Sequence, residues 1–373
     1  MIYLLKRSYS NLVEILIILV LTSFWYAHAF GLRGEYIRMA LNIVLCLSLL
    51  VPVVIRIRLV KFDYWILGIL VFAFVSLIID PMNSVMSALR VVSFMCAYLL
   101  TSNGVLILRL RQLMMVVTSL IVISFVIQYI QSDYQYINGF RRYSGIYYMH
   151  SAGFALIILL VFLYLMRQLS IKDRKETKRL CEYTILLVVF LILFMTGSRS
   201  ATLIALVGGT LYLSAKRKYT FVVLALLLSV LFAQVYTKIS ESGLLYRING
   251  LIDNGLNDPS SQNRIKFLTQ GFGLVEGVRI LFGFGVGKFD DLYFAYFGQR
   301  VAPHFYFLQW YVEGGIIYLF LWIKFYLAIF NRISWNDRIL MILYLVVASI
   351  NNGEYYFGIN ILFIITLTQR FKK

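Results

Sequence analysis

Apolar stretches of about 20 residues, the length an α-helix needs to cross a hydrocarbon core of about 30 Å, recur along this chain from one end to the other. Lipid offers no water to satisfy backbone N–H and C=O groups, so a chain of this kind is confined to helices or closed barrels. Barrel strands are about 10 alternating residues long, and these runs are too long and too unbroken for that. We place spans at roughly 11–31, 37–55, 64–80, 84–102, 112–131, 148–166, 181–197, 200–215, 219–236, 303–328, 338–351 and 355–369, about twelve in all (range 10–12). Composition agrees, because 61% of the 373 residues are hydrophobic and 14% charged, whereas a soluble domain is nearer half apolar and a quarter charged. The expected fold class is an all-α polytopic membrane protein, read as a single transmembrane domain over 1–373.

The net charge of +18 reads as orientation rather than as a nucleic-acid footprint. Basic clusters at Lys6/Arg7, Arg56/Arg58/Lys61, Arg109/Arg111, the stretch 167–179, Lys216/Arg217/Lys218, Arg332/Arg338 and Arg370/Lys372/Lys373 all fall on the N-terminal side of the span count. The positive-inside rule makes that side cytoplasmic, with both termini there. A large extracytoplasmic loop then covers about 237–302. Cys46, Cys96 and Cys181 include no CxxC pair and lie in or beside spans, which indicates neither a disulfide framework nor a zinc site. "AHA" at 27–29 resembles a signal-peptidase site, but the long apolar run before it and the spans after it favour an uncleaved first helix.

Orientation alone would leave the outer face poor in Arg and Lys. Instead it carries Arg33, Arg38, Arg141, Arg142, Arg199, Lys238, Arg247, Arg264, Lys266, Arg279, Lys288 and Arg300, which suggests an anionic partner at the outer membrane surface. Arg199 lies in the turn "TGSRS" (196–200), where Ser198 or Ser200 can cap the helix that follows. A helix N-terminus attracts anions, and a guanidinium fork there suits a phosphate or diphosphate. Arg264 opens "NRIKFLTQGFGLV", in which Ile265, Leu268, Phe272 and Val275 predict an amphipathic surface helix near 262–276. The glycines of "LFGFGVGKF" (Gly283, Gly285, Gly287) suggest a tightly turned loop. A dinucleotide fingerprint would need a preceding strand and cytoplasmic nucleotide.

The stretch 301–322, "VAPHFYFLQWYVEGGIIYLFLW", reads as a span interrupted by charge. His304 stands at its mouth, with Leu308, Tyr311 and Gly315 beneath it at helical spacing. Glu313 falls about 180° away at 100° per residue, so it does not share that face. A buried cation on another helix, with Arg90 as candidate, is its expected structural partner. The glycines after it, Gly314 and Gly315, predict close helix packing. His28 and His150 are the other histidines.

"TGSRS" opening a span, "NR" before an amphipathic helix, "LFGFGVGKF" and "PHFYFLQWYVEGGIIYLFLW", in this order, resemble the superfamily of O-antigen polymerases (Wzy-type) and O-antigen ligases. "RRYSGIYYMHSAGFAL" is similar to that family's Arg-x-Ser-Gly segment. The chain departs from the family pattern at Phe305, where Asn usually follows the histidine, and at His150-Ser151, where Pro-Asn or His-Asn is common. The resemblance covers roughly 140–320. It implies metal-independent glycosyl transfer, without cofactor, at the outer face of the bacterial cytoplasmic (inner) membrane. The implied donor is an oligosaccharide on undecaprenyl diphosphate. The acceptor is another lipid-linked repeat unit for a polymerase, or lipid A-core for a ligase. A chain-length regulator and a flippase of the same pathway are implied partners beside membrane lipid; nucleic acid is not. By that likeness Arg199 and Arg264 hold the diphosphate and His304 sits at the acceptor hydroxyl. Arg141, Arg142, His150, Lys266 and Tyr311 are the accompanying substrate-binding candidates.

Overall fold

The computed structural model describes residues 2–30, 32–55, 63–131, 135–137, 140–142, 151–170, 176–214, 259–298, 305–350 and 357–369. These are helical apart from connecting turns and one short hairpin. In chain order they form α1 (Ile2–Phe30), α2 (Leu32–Ile55), α3 (Tyr64–Ile79), α4 (Pro81–Ser102), α5 (Leu110–Ile130), β1 (Gln135–Ile137) and β2 (Phe140–Arg142). Then follow α6 (Ser151–Ser170), α7 (Glu176–Met195), α8 (Arg199–Ser214), α9 (Pro259–Gly273), α10 (Arg279–Phe282), α11 (Phe289–Phe297), α12 (Tyr306–Arg332), α13 (Trp335–Ile350) and α14 (Phe357–Thr368). Every expected span within the described residues falls on a helix; the one at 219–236 lies outside them, as does 237–258 of the large loop. Among the described residues, four segments are long and apolar enough, by length and composition only, to cross a membrane: Tyr36–Ile55, Ser84–Ser102, Leu110–Ile130 and, counted as one unbroken helix, Tyr306–Arg332. Shorter apolar helices, among them Tyr64–Ile79 and Gly153–Leu169, accompany them. Rows of exposed large apolar side chains, such as Leu67, Val71, Phe74 and Ile78 on α3, are what a lipid-facing surface presents and what a soluble helix avoids.

The helices gather into two compact units. The first comprises Met1–Leu110, Asn263–Ile333 and Asn352–Lys373. Here α1, α2, α4 and α14 pack together, and α3 packs on α4 and α12. Gly68 of α3 lets Leu321 of α12 come close, since an added Cβ would lie 2.8 Å from Leu321 Cδ1. At one end of α3, Arg332 clasps Asp63 through two bonds of 2.9 Å and also donates to Tyr98 at 2.8 Å. The amide of Gln369 pairs with both the N–H and the C=O of Leu108, fastening the end of α14 to the segment after α4.

The interior of α12 departs from the unbroken span expected at 303–328. Gly315 takes φ 68° and ψ −168° within it, a conformation open to glycine and closed to other residues. In a straight helix Trp310 and Tyr326 would stand about 24 Å apart along the axis, yet their rings are 6.0 Å apart. Trp310 also stacks on Trp322 at 4.8 Å with 6° between the planes. The helix therefore doubles back at Gly315 into two arms, 306–314 and 316–332. Only the second, about 25 Å long at 1.5 Å per residue, is left to cross a bilayer.

The second unit comprises Arg111–Gln262 and Ser334–Asn351. Gly208 on α8 sits where a Cβ would be 2.8 Å from Leu163 of α6 and 2.9 Å from Leu343 of α13. One turn further along each of α6 and α8, Arg167 and Asp337 form a buried ion pair and Tyr212 donates to the carbonyl of Asn336 at 2.5 Å. Leu163 to Arg167 and Gly208 to Tyr212 thus advance toward the same end of α13. Consequently α6 and α8 run parallel and α13 runs against both. Ser334 opens α13 and shares its hydroxyl with Asp337 at 2.6 Å, a capping arrangement that also orients the carboxylate toward Arg167. In the hairpin, β1 and β2 are antiparallel, with Gln135 opposite Arg142 and Tyr136 opposite Arg141. The intervening Asn138-Gly139 is the dipeptide most favoured in two-residue hairpins.

Candidate functional site

Around the fold in α12, first-unit residues 263–298 form a small apolar layer. Its core is Leu274, Val275, Phe289, Tyr293, Leu308 and Val312, flanked by Phe267, Phe297 and Tyr311. The arm 306–314 contributes Leu308 and Val312 to this layer and Trp310 to the stack on the second arm. It is thus covered on two faces. Helix α9 contacts it through Gly271, where an added Cβ would lie 2.6 Å from Leu308 Cδ2. The small residue selects the packing face, so Leu274 and Val275 are buried while Ile265 and Phe272 stay exposed. The face expected from Ile265, Leu268, Phe272 and Val275 is therefore split. Tyr293 donates to Gln270, and burial pushes its phenol above the ordinary range.

The loop "LFGFGVGKF" closes onto the break at Gly315. The N–H of Phe284 donates to Val312 O at 3.0 Å and that of Gly285 to Glu313 O at 2.7 Å. The N–H of Val286 donates to the Ser76 hydroxyl at 2.7 Å. The Gly283 N–H returns to Arg279 O at 2.7 Å and that of Lys288 to Gly285 O at 3.3 Å. A phosphate-cradling loop aims its N–H groups at the ligand; these are already engaged with protein, in keeping with the expected turned loop. A Cβ on Gly283 would overlap the main chain of residues 313–314, and one on Gly315 the main chain of residues 281–282. The close packing expected of Gly314 and Gly315 is thus made by Gly315 against a one-turn helix and its loop, backbone on backbone. Two of the basic residues expected on the outer face are likewise committed: Lys288 pairs with Asp80, and Arg279 lies over Phe284 at 4.9 Å while donating to Gly283 O.

In the second unit, α7 ends at Met195 and the chain turns through Gly197, at φ 67°. Thr196 caps the turn, its hydroxyl donating to Leu193 O at 2.7 Å and accepting from Ser198 N at 3.3 Å. Ser198 O accepts the first bond of α8, from Thr202 N at 3.0 Å. Ser198 is therefore the residue at the N-cap, and Arg199 is the first helical residue, half-buried.

Arg264 is half-buried within α9, and Lys266 beside it is exposed. Tyr311 is half-buried and packs on Phe272 at 5.5 Å. Glu313 is 1% exposed and accepts from Gln309 at 3.0 Å on its own arm; Arg90 is half-buried on α4. Arg141 and Arg142 are described in their backbone alone, in β2. His150 and His304 lie outside the described residues, immediately before the first residues described in the regions of α6 and α12. Sequence reasoning did not single out Ser76 and Asp80, which hold the glycine loop, because each is an ordinary polar residue near a helix end. Among the described residues no three His, Cys, Asp or Glu side chains gather as a metal site would need.

No curated protein matches the chain. Residues 184–323 match the model of a family described as O-Antigen ligase, a stretch that takes in the Arg199 turn, α9 and the break in α12 at Gly315 and is consistent with the superfamily of O-antigen polymerases and ligases.

Proposed function

We propose that the protein is a polymerase of lipid-linked polysaccharide repeat units, working at the outer face of the cytoplasmic membrane. It transfers the growing glycan from undecaprenyl diphosphate to a hydroxyl of a new lipid-linked unit. The observation that supports glycan transfer of this kind is the family match over 184–323, which fits polymerase and ligase alike; within it Arg199 opens a helix and Arg264 lies on a helix of the small apolar layer. In the proposed step, His304 takes the proton of the acceptor hydroxyl, whose oxygen attacks the anomeric carbon with inversion. The bond from that carbon to the diphosphate oxygen breaks, and the electron pair leaves with undecaprenyl diphosphate. A histidine with a pKa near 6.5 suits the base. Arg199 and Arg264 favour the charge that grows on the leaving group. Arg141, Arg142, His150, Lys266 and Tyr311 complete substrate contacts, and Glu313 with Arg90 is a structural pair. A chain-length regulator and a flippase are the proposed partners.

The family description itself favours a second reading, transfer to lipid A-core by a ligase. Surface glycolipid separates the two. Deletion of a polymerase leaves lipid A-core carrying a single repeat unit, whereas deletion of a ligase leaves bare core and lipid-linked polymer. Arg199→Ala, Arg264→Ala and His304→Ala are each expected to abolish polymer while the protein still inserts. Polymer of normal length in all three overturns the mechanism.

A further inference from the structure

The hydroxyl of Thr202 breaks a pattern kept elsewhere in the molecule. Thr22, Thr101, Thr118, Thr269, Thr366 and Thr368 each donate to a carbonyl three or four residues earlier, at 2.6–3.1 Å. That is how a helical hydroxyl is satisfied where water is scarce. Thr202 is 4% exposed, and its Oγ1 has no hydrogen-bond partner among the described residues. A buried hydroxyl left in this state is costly unless something else engages it.

Its position supplies the candidate. Thr202 lies three residues after Arg199, hence on the same side of α8. Helical Cα–Cβ bonds tilt toward the N-terminus, so the hydroxyl leans toward the end where Arg199 stands. The N-terminus of α6 stands at a similar height along the axis, although Arg199, nine residues from Gly208, lies about 180° around α8 from the face that meets α6. With Leu163 level with Gly208 and the two helices parallel, Ile157 is level with Thr202 and Phe154 with Arg199. Helix α6 begins at Ser151, about 4.5 Å beyond that level. The N-terminus of α8, with its partial positive charge, thus carries one arginine and one hydroxyl donor that no described group engages.

We infer that these groups form a single anion site in which Thr202 donates a hydrogen bond to a phosphate oxygen of the lipid-linked donor. The inference rests on the role proposed above for Arg199 and adds Thr202 as a binding residue. Farnesyl diphosphate is the probe, titrated against the purified full-length protein in nanodiscs of zwitterionic lipid. Thr202→Val is expected to weaken binding about tenfold, the usual scale for losing a hydrogen bond to a charged group. Thr202→Ser is expected to bind within about twofold of the native protein, since the donor is kept. Thr202→Val should unfold at the same temperature or higher, because it removes an unsatisfied buried group.

Native binding by Thr202→Val, with binding lost in Arg199→Ala, overturns the role of Thr202 and leaves that of Arg199 standing. Equal weakening in the Val and Ser variants also overturns it, because shape rather than the hydroxyl would then be responsible. Native binding by Arg199→Ala overturns the reading beneath. Competition by phosphatidylglycerol nanodiscs as strong as by unlabelled farnesyl diphosphate reassigns the site to a phospholipid headgroup.

Discussion

Gly273 and Gly283 stand close in sequence, yet a methyl group on each has opposite consequences. Gly273 ends α9 with open space around its Cβ position, whereas Gly283 has φ 66° and faces the main chain of residues 313–314. Gly273→Ala is expected to raise stability by about 0.5 kcal/mol, as a helical glycine gives up less entropy once replaced. Gly283→Ala is expected to cost on the order of 3 kcal/mol, combining a left-handed alanine with overpacking against backbone that cannot move aside. Thermal unfolding of the purified variants checks both; a Gly283→Ala protein with native unfolding temperature refutes the contact. At this scale the sequence was legible in part. Ser198 and Arg199 announced a helix start, and the three glycines a turned loop. That Lys288 is consumed by Asp80 was hidden, because a basic residue looks the same in sequence whether its counter-charge is a ligand or a distant helix end.

Among the elements, α12 carries the largest difference between pattern and structure. Its hydrophobic run looks continuous because both arms are apolar, one against the small layer and the other against lipid and the first arm. Periodicity reports burial and leaves the direction of the axis open. The break is encoded in a single residue, Gly315. Spin labels at Phe307→Cys and Leu327→Cys, both exposed positions, test the fold. An unbroken helix would separate their backbones by about 30 Å; the doubled helix predicts a clearly shorter distance. A measured separation near the straight-helix value would refute it. Helix α9 gives a smaller case of the same kind. Its stretch is helical over Pro259–Gly273, so that Val275 falls beyond the helix, and Gly271, without a side chain to count, is the residue that meets Leu308.

For the whole molecule, the helical membrane architecture was readable from run length alone, and expected spans within the described residues coincide with helices. The number of crossings is a separate matter, since a helix such as the arm 306–314 is apolar without spanning. Reporter fusions address this and the proposed orientation. A periplasm-active enzyme fused in the turn after Met195 is expected to be active, and one fused at 215–218 inactive. The reverse pattern refutes cytoplasmic termini. The candidate site could be named from the sequence as residue types expected to face outward, but not as an arrangement, because the contacts around Gly315 are made by main chain and glycine.

The locking of the glycine loop onto the broken helix has a consequence for how such chains vary over evolution. Gly283 and Gly315 belong to one close approach between two strands of backbone, so neither is useful without the other. A lineage that straightens the helix by replacing Gly315 loses the groove that Gly283 fills, and selection on Gly283 lapses with it. Across related sequences the two positions should be kept or lost together, a correlated pair far apart in the chain that records a single packing decision.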